Sequence, residues 1–339
     1  MQEIYIIYDS NVEAFAKSVE NEMSERENCI VLGSLAITAD EQHKTLSNVE
    51  RICRFLMSKG ADRNARLLAV GGGVTTDLVG FAAGIYKRGV TFDSFPTTIL
   101  SQVDAAIGGK NGVNLDGVKN VLGTFLDPKE VYVSSEPLYT LGMEAFLSGA
   151  GEMLKTFIIA DRSKYEDTVS IFSRLHSEGY TQKAKEAAIN ALEPLISAAG
   201  KIKDRIVRKD PKDLKVRRVL NLGHTYAHAI EWWQHTPEGE KSLAAAGRTP
   251  FSHGEAVAIG TIRAAELSER DGIAAKGLKD RLEADFKSCG LPTELPCGVS
   301  ELMPAFVNDK KVEDDTVDFI YIKDIGKVVI RKKDISDII

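Results

Sequence analysis

The sequence of 339 residues has few cysteines and no long apolar run, and each shortage excludes a class of protein. Its four cysteines are Cys29, Cys53, Cys289 and Cys297. None of them belongs to a C-x-x-C motif, which predicts free thiols in a reducing cytoplasm. No apolar run is long enough to span a bilayer. The N-terminal stretch MQEIYIIYDSN lacks a basic region followed by a long apolar segment, so we expect no signal peptide.

Blocks of positive charge, which nucleic acids and anionic membranes attract, are missing as well. The formal net charge is -6, so we expect neither of them to be the main partner. Hydrophobic residues make up 43% and charged residues 27%, a balance typical of a globular protein with a sizeable core. This length predicts two domains or one large one.

Apolar runs alternate with helical patterns in the first part of the chain. We predict strands over residues 4–8, 29–35, 67–70, 90–95 and 131–133, with helices between several of them. Alternation of this kind predicts a parallel sheet that binds its ligands at the carboxyl edge of the strands. Asp9, which ends the first strand, can bond a ribose hydroxyl or cap the next helix.

The stretch from residue 67 to residue 110 contains two glycine turns. The first, glycines 71–73, follows a strand and precedes a helix, a layout that lets backbone N–H groups approach a phosphate. Three adjacent glycines also occur in ordinary tight loops. The second turn, glycines 108–109, is preceded by Asp104 and followed by Lys110. Together they suggest a nucleotide and a phosphorylated substrate held side by side.

Beyond about residue 144 the pattern becomes mainly helical, which places a domain boundary there. We therefore predict an α/β domain over residues 1–144 and a mainly helical domain over residues 145–339. Helices are expected at residues 147–161, 182–209, 219–233 and 255–270, and a short strand pair at residues 317–322 and 326–331.

Four residues of the helical half could build a metal site. His224 and His228 are four apart on one helix face, the usual spacing of paired ligands. His253 lies in a capping-box motif at a helix start, where the helix dipole favours a neutral ring that can bind metal. With Glu152 these residues suggest a His/His/Glu set with an open position, as in catalytic zinc sites. The alternative is that His228 is a core residue and Glu152 a surface acid.

Several of these motifs resemble the 3-dehydroquinate synthases. GGGVTTDLVGFAAGIYKRG, followed by PTT and QVDAAIGGKNGVN, resembles the N-terminal core of that family. GAGEMLKT, NLGHTYAH and SHGEAVAIG look like its metal-binding segments, and the similarity extends from about Asp9 to Lys311. The implied fold is an N-terminal Rossmann-like parallel-sheet domain followed by a mainly α-helical metal-binding domain.

The resemblance also implies the site residues. The zinc ligands would be Glu152, His224 and His253, with Co²⁺ or another divalent metal as an alternative ion, and His228 would move to the substrate side. NAD would bind in the N-terminal domain at Asp9, Glu41, Lys44, Gly72, Gly73, Asp77, Thr97, Thr98, Leu100, Lys119 and Thr140. The catalytic residues would be Asp104, Lys110, Lys155, Lys203, Arg217, Asn221 and His228. Asn120 and Lys310 would bind substrate, and Arg88 would be lent across a homodimer.

The implied activity is that of a lyase of the shikimate pathway, which converts the phosphorylated keto acid 3-deoxy-D-arabino-heptulosonate 7-phosphate (DAHP) to 3-dehydroquinate and phosphate. The many Arg and Lys residues suit a ligand with a phosphate and a carboxylate. Three alternatives stay open. They are another NAD- and metal-dependent sugar-phosphate cyclase, a polyol dehydrogenase of the same superfamily, and a scaffold that has lost turnover.

Some positions depart from the family pattern. Ala145 stands where glutamate is usual, and Gly142 where proline is usual, which puts one cofactor contact in doubt. Asp213 replaces a longer glutamate, and Ala227 replaces a glycine. The connection over residues 234–252 is longer than usual and is expected to be a mobile loop.

Overall fold

The computed structural model of the chain describes residues 1–116, 118–307 and 316–338. They divide into two units, Met1–Leu141 and Gly142–Ile339, close to the boundary predicted after residue 144. The binding roles assigned to the two parts of the chain stay predictions.

A four-stranded parallel sheet forms the centre of the first unit. Its strands are β1 (Gln2–Asp9), β2 (Cys29–Ile37), β3 (Arg66–Gly71) and β4 (Thr91–Pro96), in the order β2-β1-β3-β4. The connecting helices are α1 (Glu13–Glu25), α2 (Leu46–Ser58) and α3 (Gly73–Ile85). The predicted α/β fold class is therefore confirmed, and so are the strands predicted over residues 4–8, 29–35, 67–70 and 90–95.

Alternating side chains of β1 build a core on each face of this sheet. Ile4 and Ile6 pack into one cluster with Ala16 and Val19 of α1. Tyr5 and Ile7 face the opposite side and join a second cluster that includes apolar side chains of α2 and α3. Because both faces are covered, the strands are almost continuously apolar, which explains why short apolar runs identified them.

The strand order reverses between β1 and β3. The chain leaves β1 toward β2 on one side and leaves β3 toward β4 on the other. In parallel sheets such a reversal opens a crevice at the carboxyl ends of the two strands, and ligands bind there. Here Asp9 ends one of these strands, and the glycine turn at residues 71–73 ends the other.

Two features of the first unit differ from the prediction. The strand predicted over residues 131–133 is wrong, because Val131 makes only an isolated bridge with Ser94. Val133 is exposed, so burial of its side chain does not stabilise a longer strand there. An antiparallel hairpin of β5 (Lys110–Leu115) and β6 (Val118–Phe125) was not predicted from the sequence. Its glycines and asparagines interrupt the alternation of apolar and polar residues by which a strand is recognised in a sequence.

The second unit is mainly helical, as predicted. Its helices are α4 (Met143–Ala160), α5 (Arg162–Ser177), α6 (Gln182–Lys209), α7 (His224–Trp233), α8 (Pro237–Ala245), α9 (His253–Arg270), α10 (Leu278–Ser288) and α11 (Val299–Val307). A hairpin of β7 (Thr316–Asp324) and β8 (Lys327–Asp334) follows. Helix α8 lies inside the connection that was expected to be a loop. None of the helices in the described ranges has the length and apolarity that a membrane crossing requires.

A partly exposed carboxylate joins this hairpin to the end of α9. Asp271, directly after α9, accepts hydrogen bonds from Lys333 Nζ at 2.5 Å and from the Tyr321 hydroxyl at 2.7 Å. Partial burial raises the pKa of Asp271, but hydrogen bonds from Lys333, Tyr321 and Arg270 outweigh it and lower the pKa to about 2. Since this value lies below that of an unfolded aspartate, ionised Asp271 stabilises the folded chain.

Because Asp271 is exposed and solvent screens its contacts, we expect Asp271→Asn to lower the free energy of unfolding by about 1 kcal/mol at neutral pH. The stabilisation is fully present above about pH 4, the unfolded pKa, and is lost as pH falls towards the folded value. Denaturant titrations of both proteins from pH 7 to pH 3 should therefore show a shrinking difference. Asp280→Asn is the control, because the Asp280 side chain is 85% exposed. A difference that stays constant with pH would contradict this assignment.

Candidate functional site

The glycine turn after β3 lies at the start of α3, where the first backbone N–H groups of a helix have no partner within it. Gly72 caps this helix without any side-chain hydrogen bond. A Cβ at Gly73 would lie 3.0 Å from the Ala105 side chain, and one at Gly72 would lie 3.3 Å from that of Thr98. Side chains here would therefore fill the space in front of the helix N-terminus, where a phosphate group binds best.

The predicted cofactor residues Thr97, Thr98 and Leu100 follow β4 beside this turn. The backbone N–H of Thr97 donates to the carbonyl oxygen of Gly71 at 2.9 Å. The Thr98 hydroxyl pairs with that of Ser101 at 2.9 Å, and Ser101 begins a π-helical turn (Ser101–Ala105) that contains the predicted catalytic Asp104. These contacts fix the chain next to the glycine turn.

A polar cluster joins four more predicted residues of the first unit. Lys44, which is 5% exposed, pairs with Asp77 at 2.5 Å and donates to the side-chain oxygen of Asn120 at 2.6 Å. Asn114 donates to the Glu41 carboxylate at 2.8 Å and accepts from the Asn120 backbone N–H at 2.9 Å. The structure thus brings Asn120, predicted to bind substrate, against the predicted cofactor residues. Sequence reasoning missed Asn114, which lies on the unpredicted hairpin.

The remaining predicted residues of this unit differ in exposure. Asp9 accepts a hydrogen bond from the Asn11 backbone, so it does cap the next turn, and burial raises its pKa. Lys110, Thr140 and Arg88 are exposed, and Lys119 is half-buried. Arg88 has a φ of 71° and follows Lys87 at 47°, left-handed values that cost energy for residues other than glycine.

In the second unit three predicted ligands converge. Glu152, His224 and His253 each offer a ligand atom, and these atoms all lie within 4.8 Å of one another. Glu152 Oε1 is 3.8 Å from Nε2 of His224 and 3.5 Å from Nε2 of His253, so both separations exceed a hydrogen bond. His228 does not belong to this group, although its ring lies 5.4 Å from that of His224, about as far as the ring of His253 at 5.3 Å, so the converging ligand atoms favour His253 over the pairing that spacing alone suggested.

Glycines next to each of these residues bring their elements together. A Cβ at Gly151 would lie 2.2 Å from the carbonyl oxygen of Gly254, and one at Gly260 would lie 2.0 Å from that of Gly223. Gly223 also has a φ of 78°, which glycine adopts at little cost. The starts of α7 and α9 and the middle of α4 can therefore approach closely enough for their neighbouring side chains to meet.

The charges of this group differ from the prediction. Burial alone would raise the pKa of Glu152, but Lys155 and His253 outweigh it and lower the pKa to about 2. Burial lowers the pKa of His253, yet Glu231 and Glu152 raise it to about 10. Without metal, the two carboxylates therefore outweigh the helix dipole that was expected to favour a neutral ring.

The other predicted residues of this unit surround the group or lie near it in sequence. Lys155, only 1% exposed, pairs with Glu152 Oε2 at 2.6 Å and donates to the Leu220 carbonyl at 2.8 Å. Arg217 is buried and donates to the Pro211 carbonyl at 2.8 Å, and Lys203 is buried on α6. Asn221 ends the turn before His224, and His228 is exposed one helical turn after it. Lys310 lies outside the described residues.

Sequence reasoning missed two carboxylates here. Asp210 accepts hydrogen bonds from the backbone N–H groups of Leu214, Lys215 and Arg217, which orders the loop that carries Arg217. Glu231 Oε1 lies 3.2 Å from Nδ1 of His253. A glutamate on a helix face three residues beyond His228 gave no local signal of this contact.

Comparisons with known proteins identify the family of the chain. The model of the 3-dehydroquinate synthase N-terminal region matches residues 34–148, and that of the C-terminal region matches residues 149–312. The chain is 36% identical to the 3-dehydroquinate synthase of Clostridium tetani, over 85% of this chain and 71% of that protein. It is 38% identical to that of Acidithiobacillus ferrooxidans, over 88% of this chain and 76% of that protein.

Solved structures show the same fold at lower identity. A 2-epi-5-epi-valiolone synthase of Streptomyces hygroscopicus with NAD⁺ and Zn²⁺ bound superposes with a TM-score of 0.84 at 23% identity, over 100% of this chain and 89% of that chain. A 2-deoxy-scyllo-inosose synthase with NAD⁺ and Co²⁺ gives a TM-score of 0.82, again at 23% identity and with the same coverage. By sequence and by fold, the chain belongs to the 3-dehydroquinate synthase family of enzymes.

Proposed function

We propose that this chain converts DAHP to 3-dehydroquinate and phosphate. The observation that carries the proposal is the convergence of Glu152, His224 and His253 in a chain of this family. The overall conversion is redox-neutral: the neighbouring carbon loses a proton as phosphate leaves with the electrons of its C–O bond, the sugar ring opens, and an intramolecular aldol closure forms the new ring. As a step of the shikimate pathway, it would supply aromatic amino acid biosynthesis.

The three side chains fit a divalent metal. Ligand atoms about 2.1 Å from a tetrahedral ion lie roughly 3.4 Å apart, as simple geometry requires. The observed separations of 3.5 and 3.8 Å between Glu152 Oε1 and the two histidine nitrogens are close to this value. Glu152, His224 and His253 would hold Zn²⁺ or Co²⁺, whose chemistry when bound is Lewis-acid polarisation of substrate oxygens.

The first unit fits NAD. The glycine turn presents backbone N–H groups at the start of α3, next to the reversal of strand order where dinucleotides bind. NAD when bound would supply a hydride acceptor that also returns the hydride. We assign to this cofactor Asp9, Glu41, Lys44, Gly72, Gly73, Asp77, Thr97, Thr98, Leu100, Lys119 and Thr140.

Buried cations support an anionic substrate. Lys155, Lys203 and Arg217 are 1%, 7% and 4% exposed. Lys155 also pairs with Glu152 at 2.6 Å, and cationic side chains of these types are the groups that bind a phosphate and a carboxylate such as those of DAHP. These groups would bind and orient the substrate and stabilise charge on the leaving phosphate. We assign to the substrate these three residues with Asp104, Lys110, Asn120, Asn221, His228 and Lys310.

We further propose a cytoplasmic homodimer in which Arg88 serves the partner's site. The four cysteines are free thiols, which suits a reducing compartment. On β6 the apolar side chains of Val121 and Phe125 share one exposed face. Arg88 is exposed on a left-handed turn, and strain of this kind is often kept where function requires it.

Arg88→Ala should lose activity, and so should Glu152→Gln. Co-expressed as mixed dimers, the two variants should recover about a quarter of the wild-type activity, because half of the dimers contain one complete site. Lys87→Ala, on the same exposed turn, is the control and should stay active. No recovery in isolated mixed dimers would contradict the lending of Arg88.

Metal removal tests the proposed reaction. We would follow phosphate release from DAHP with NAD present, before chelation, after chelation and after adding Zn²⁺ or Co²⁺ back. Release that stops on chelation and returns with metal supports the proposal. Release that is unaffected in protein shown to be metal-free would contradict it.

A further inference from the structure

The two nitrogens of His253 face two different carboxylates. Nε2 lies 3.5 Å from Oε1 of Glu152, and Nδ1 lies 3.2 Å from Oε1 of Glu231. Glu231 is on α7, the helix that begins at His224, and is only 7% exposed. A buried carboxylate therefore reaches from the helix of one proposed ligand to the ring of another.

In both proposed histidine ligands, Nδ1 lies next to an oxygen atom that can accept a hydrogen bond. Nδ1 of His224 lies 3.1 Å from the backbone carbonyl oxygen of Leu222, and that oxygen can only accept a hydrogen bond. A metal-binding imidazole is neutral and carries its proton on the nitrogen that does not bind the metal. The acceptor at Nδ1 therefore assigns the proton to Nδ1 and leaves Nε2 to face Glu152.

Glu231 offers the same kind of acceptor to His253. Its carboxylate accepts from Nδ1–H, so with metal bound and the ring neutral, the lone pair of Nε2 would point to the side where Glu152 and His224 lie. Because α9 begins at His253, the backbone there is fixed, and the ring is oriented by its torsions and by this contact. Outer partners of this kind usually set the tautomer and orientation of a histidine ligand.

We propose that Glu231 is a positioning residue that holds His253 with Nδ1 protonated and Nε2 directed at the metal position. The inference rests on the metal site of the proposed function. Glu231 touches neither substrate nor cofactor in this role, and it acts through His253.

The competing explanation is that Glu231 only stabilises the fold through an ion pair. The two explanations differ in what they predict for a folded variant. A positioning residue changes metal affinity and the geometry at the metal, whereas a structural residue changes the melting temperature of the metal-free chain alone.

The test measures Zn²⁺ and Co²⁺ affinity of the full chain by competition with a chromogenic chelator, together with the visible absorption of the Co²⁺ form. Glu231→Leu removes the acceptor and should weaken metal binding about 10–100-fold. Glu231→Gln keeps a neutral acceptor oxygen and should bind metal more tightly than Glu231→Leu but more weakly than the wild type. Both should alter the Co²⁺ spectrum.

Glu266→Gln is the matched control, because Glu266 pairs with Arg263 on the same helix as His253. It should leave metal affinity and the Co²⁺ spectrum unchanged. If Glu231→Leu does not fold, Glu231→Gln is the deciding variant. Wild-type metal affinity together with an unchanged Co²⁺ spectrum in the folded variant would overturn the inference. A wild-type chain that binds neither ion would instead overturn the metal site itself.

Discussion

Glu152→Gln should abolish turnover of DAHP and most of the metal binding. The carboxylate is the only charged oxygen in the proposed ligand set, and even outer-shell partners are worth 10–100-fold in metal affinity. We therefore expect metal affinity to fall at least about 100-fold. The metal contributes several kcal/mol of charge stabilisation, so the rate of phosphate release should fall about 1000-fold or more.

The variant will also change the stability of the metal-free chain, and that effect must be separated. Lys155 is 1% exposed and pairs with Glu152 at 2.6 Å, so the substitution leaves a buried cation without its carboxylate. Breaking such a pair costs about 3–5 kcal/mol, whereas removing both charges is often tolerated. We would therefore add the double variant Glu152→Gln with Lys155→Met. It should regain stability in denaturant titrations and still bind metal weakly.

Metal content and phosphate release of these variants, measured on folded protein, check the prediction. Glu266→Gln is again the control. Wild-type metal affinity in Glu152→Gln would exclude Glu152 as a ligand.

Gly254→Ala should separate the helices that carry two of the ligands. A Cβ at Gly254 would lie 1.8 Å from the carbonyl oxygen of Ser148, which belongs to α4, whereas Gly254 lies in the first turn of α9. Because the obstacle is backbone, no side-chain rotation relieves it. We expect a loss of about 3 kcal/mol or more in the free energy of unfolding, at the upper end for overpacked cores.

Metal binding should suffer in the same variant. Glu152 on α4 and His253 on α9 are neighbours of the colliding atoms, so a displacement of about 1 Å spoils the ligand geometry. Metal affinity by chelator competition should fall more than tenfold in the folded fraction. Gly142→Ala is the control, since a Cβ at Gly142 meets no atom within 4 Å. Equal stability and metal affinity in Gly254→Ala and Gly142→Ala would refute the role of this close approach.

The parallel sheet and the long helices were predictable because their signals are local. Buried strands covered on both faces read as short apolar runs, and α6 was predicted with its observed bounds from its apolar stripe and despite Pro194. The hairpin β5–β6 was missed because glycines and asparagines interrupt its alternation. Helix α8 was missed because the glycine, proline and alanine content of the connection suggested a loop, although Pro237 occupies the first position of the helix.

The metal ligands could not be identified from residue spacing within a single helix. Spacing on one helix pairs His224 with His228, but the structure gathers side chains from three helices. Contacts such as those of Gly151 with Gly254 and of Gly223 with Gly260 decide which side chains meet, and they depend on packing between distant segments. The family resemblance supplied Glu152, His224 and His253 as a set, and the structure brings these three together. Neither spacing nor resemblance indicated Glu231.

The charge of His253 could likewise not be predicted from its neighbours in the sequence. A helix N-terminus predicted a neutral His253, because the sequence shows the helix start but not the two carboxylates that reach the ring. Electrostatic effects of this size depend on distances of a few ångströms between segments far apart in the chain. They follow only from the folded structure.

The most direct measurement follows phosphate and NADH together in one reaction containing the chain, DAHP, NAD and Zn²⁺. Our account predicts phosphate equimolar with the DAHP consumed and no net accumulation of NADH, since the hydride taken from the substrate returns to it. NADH formed in step with substrate consumption would identify a dehydrogenase and contradict the account. No phosphate from DAHP, with metal and NAD bound, would contradict it equally and direct the search to other sugar phosphates.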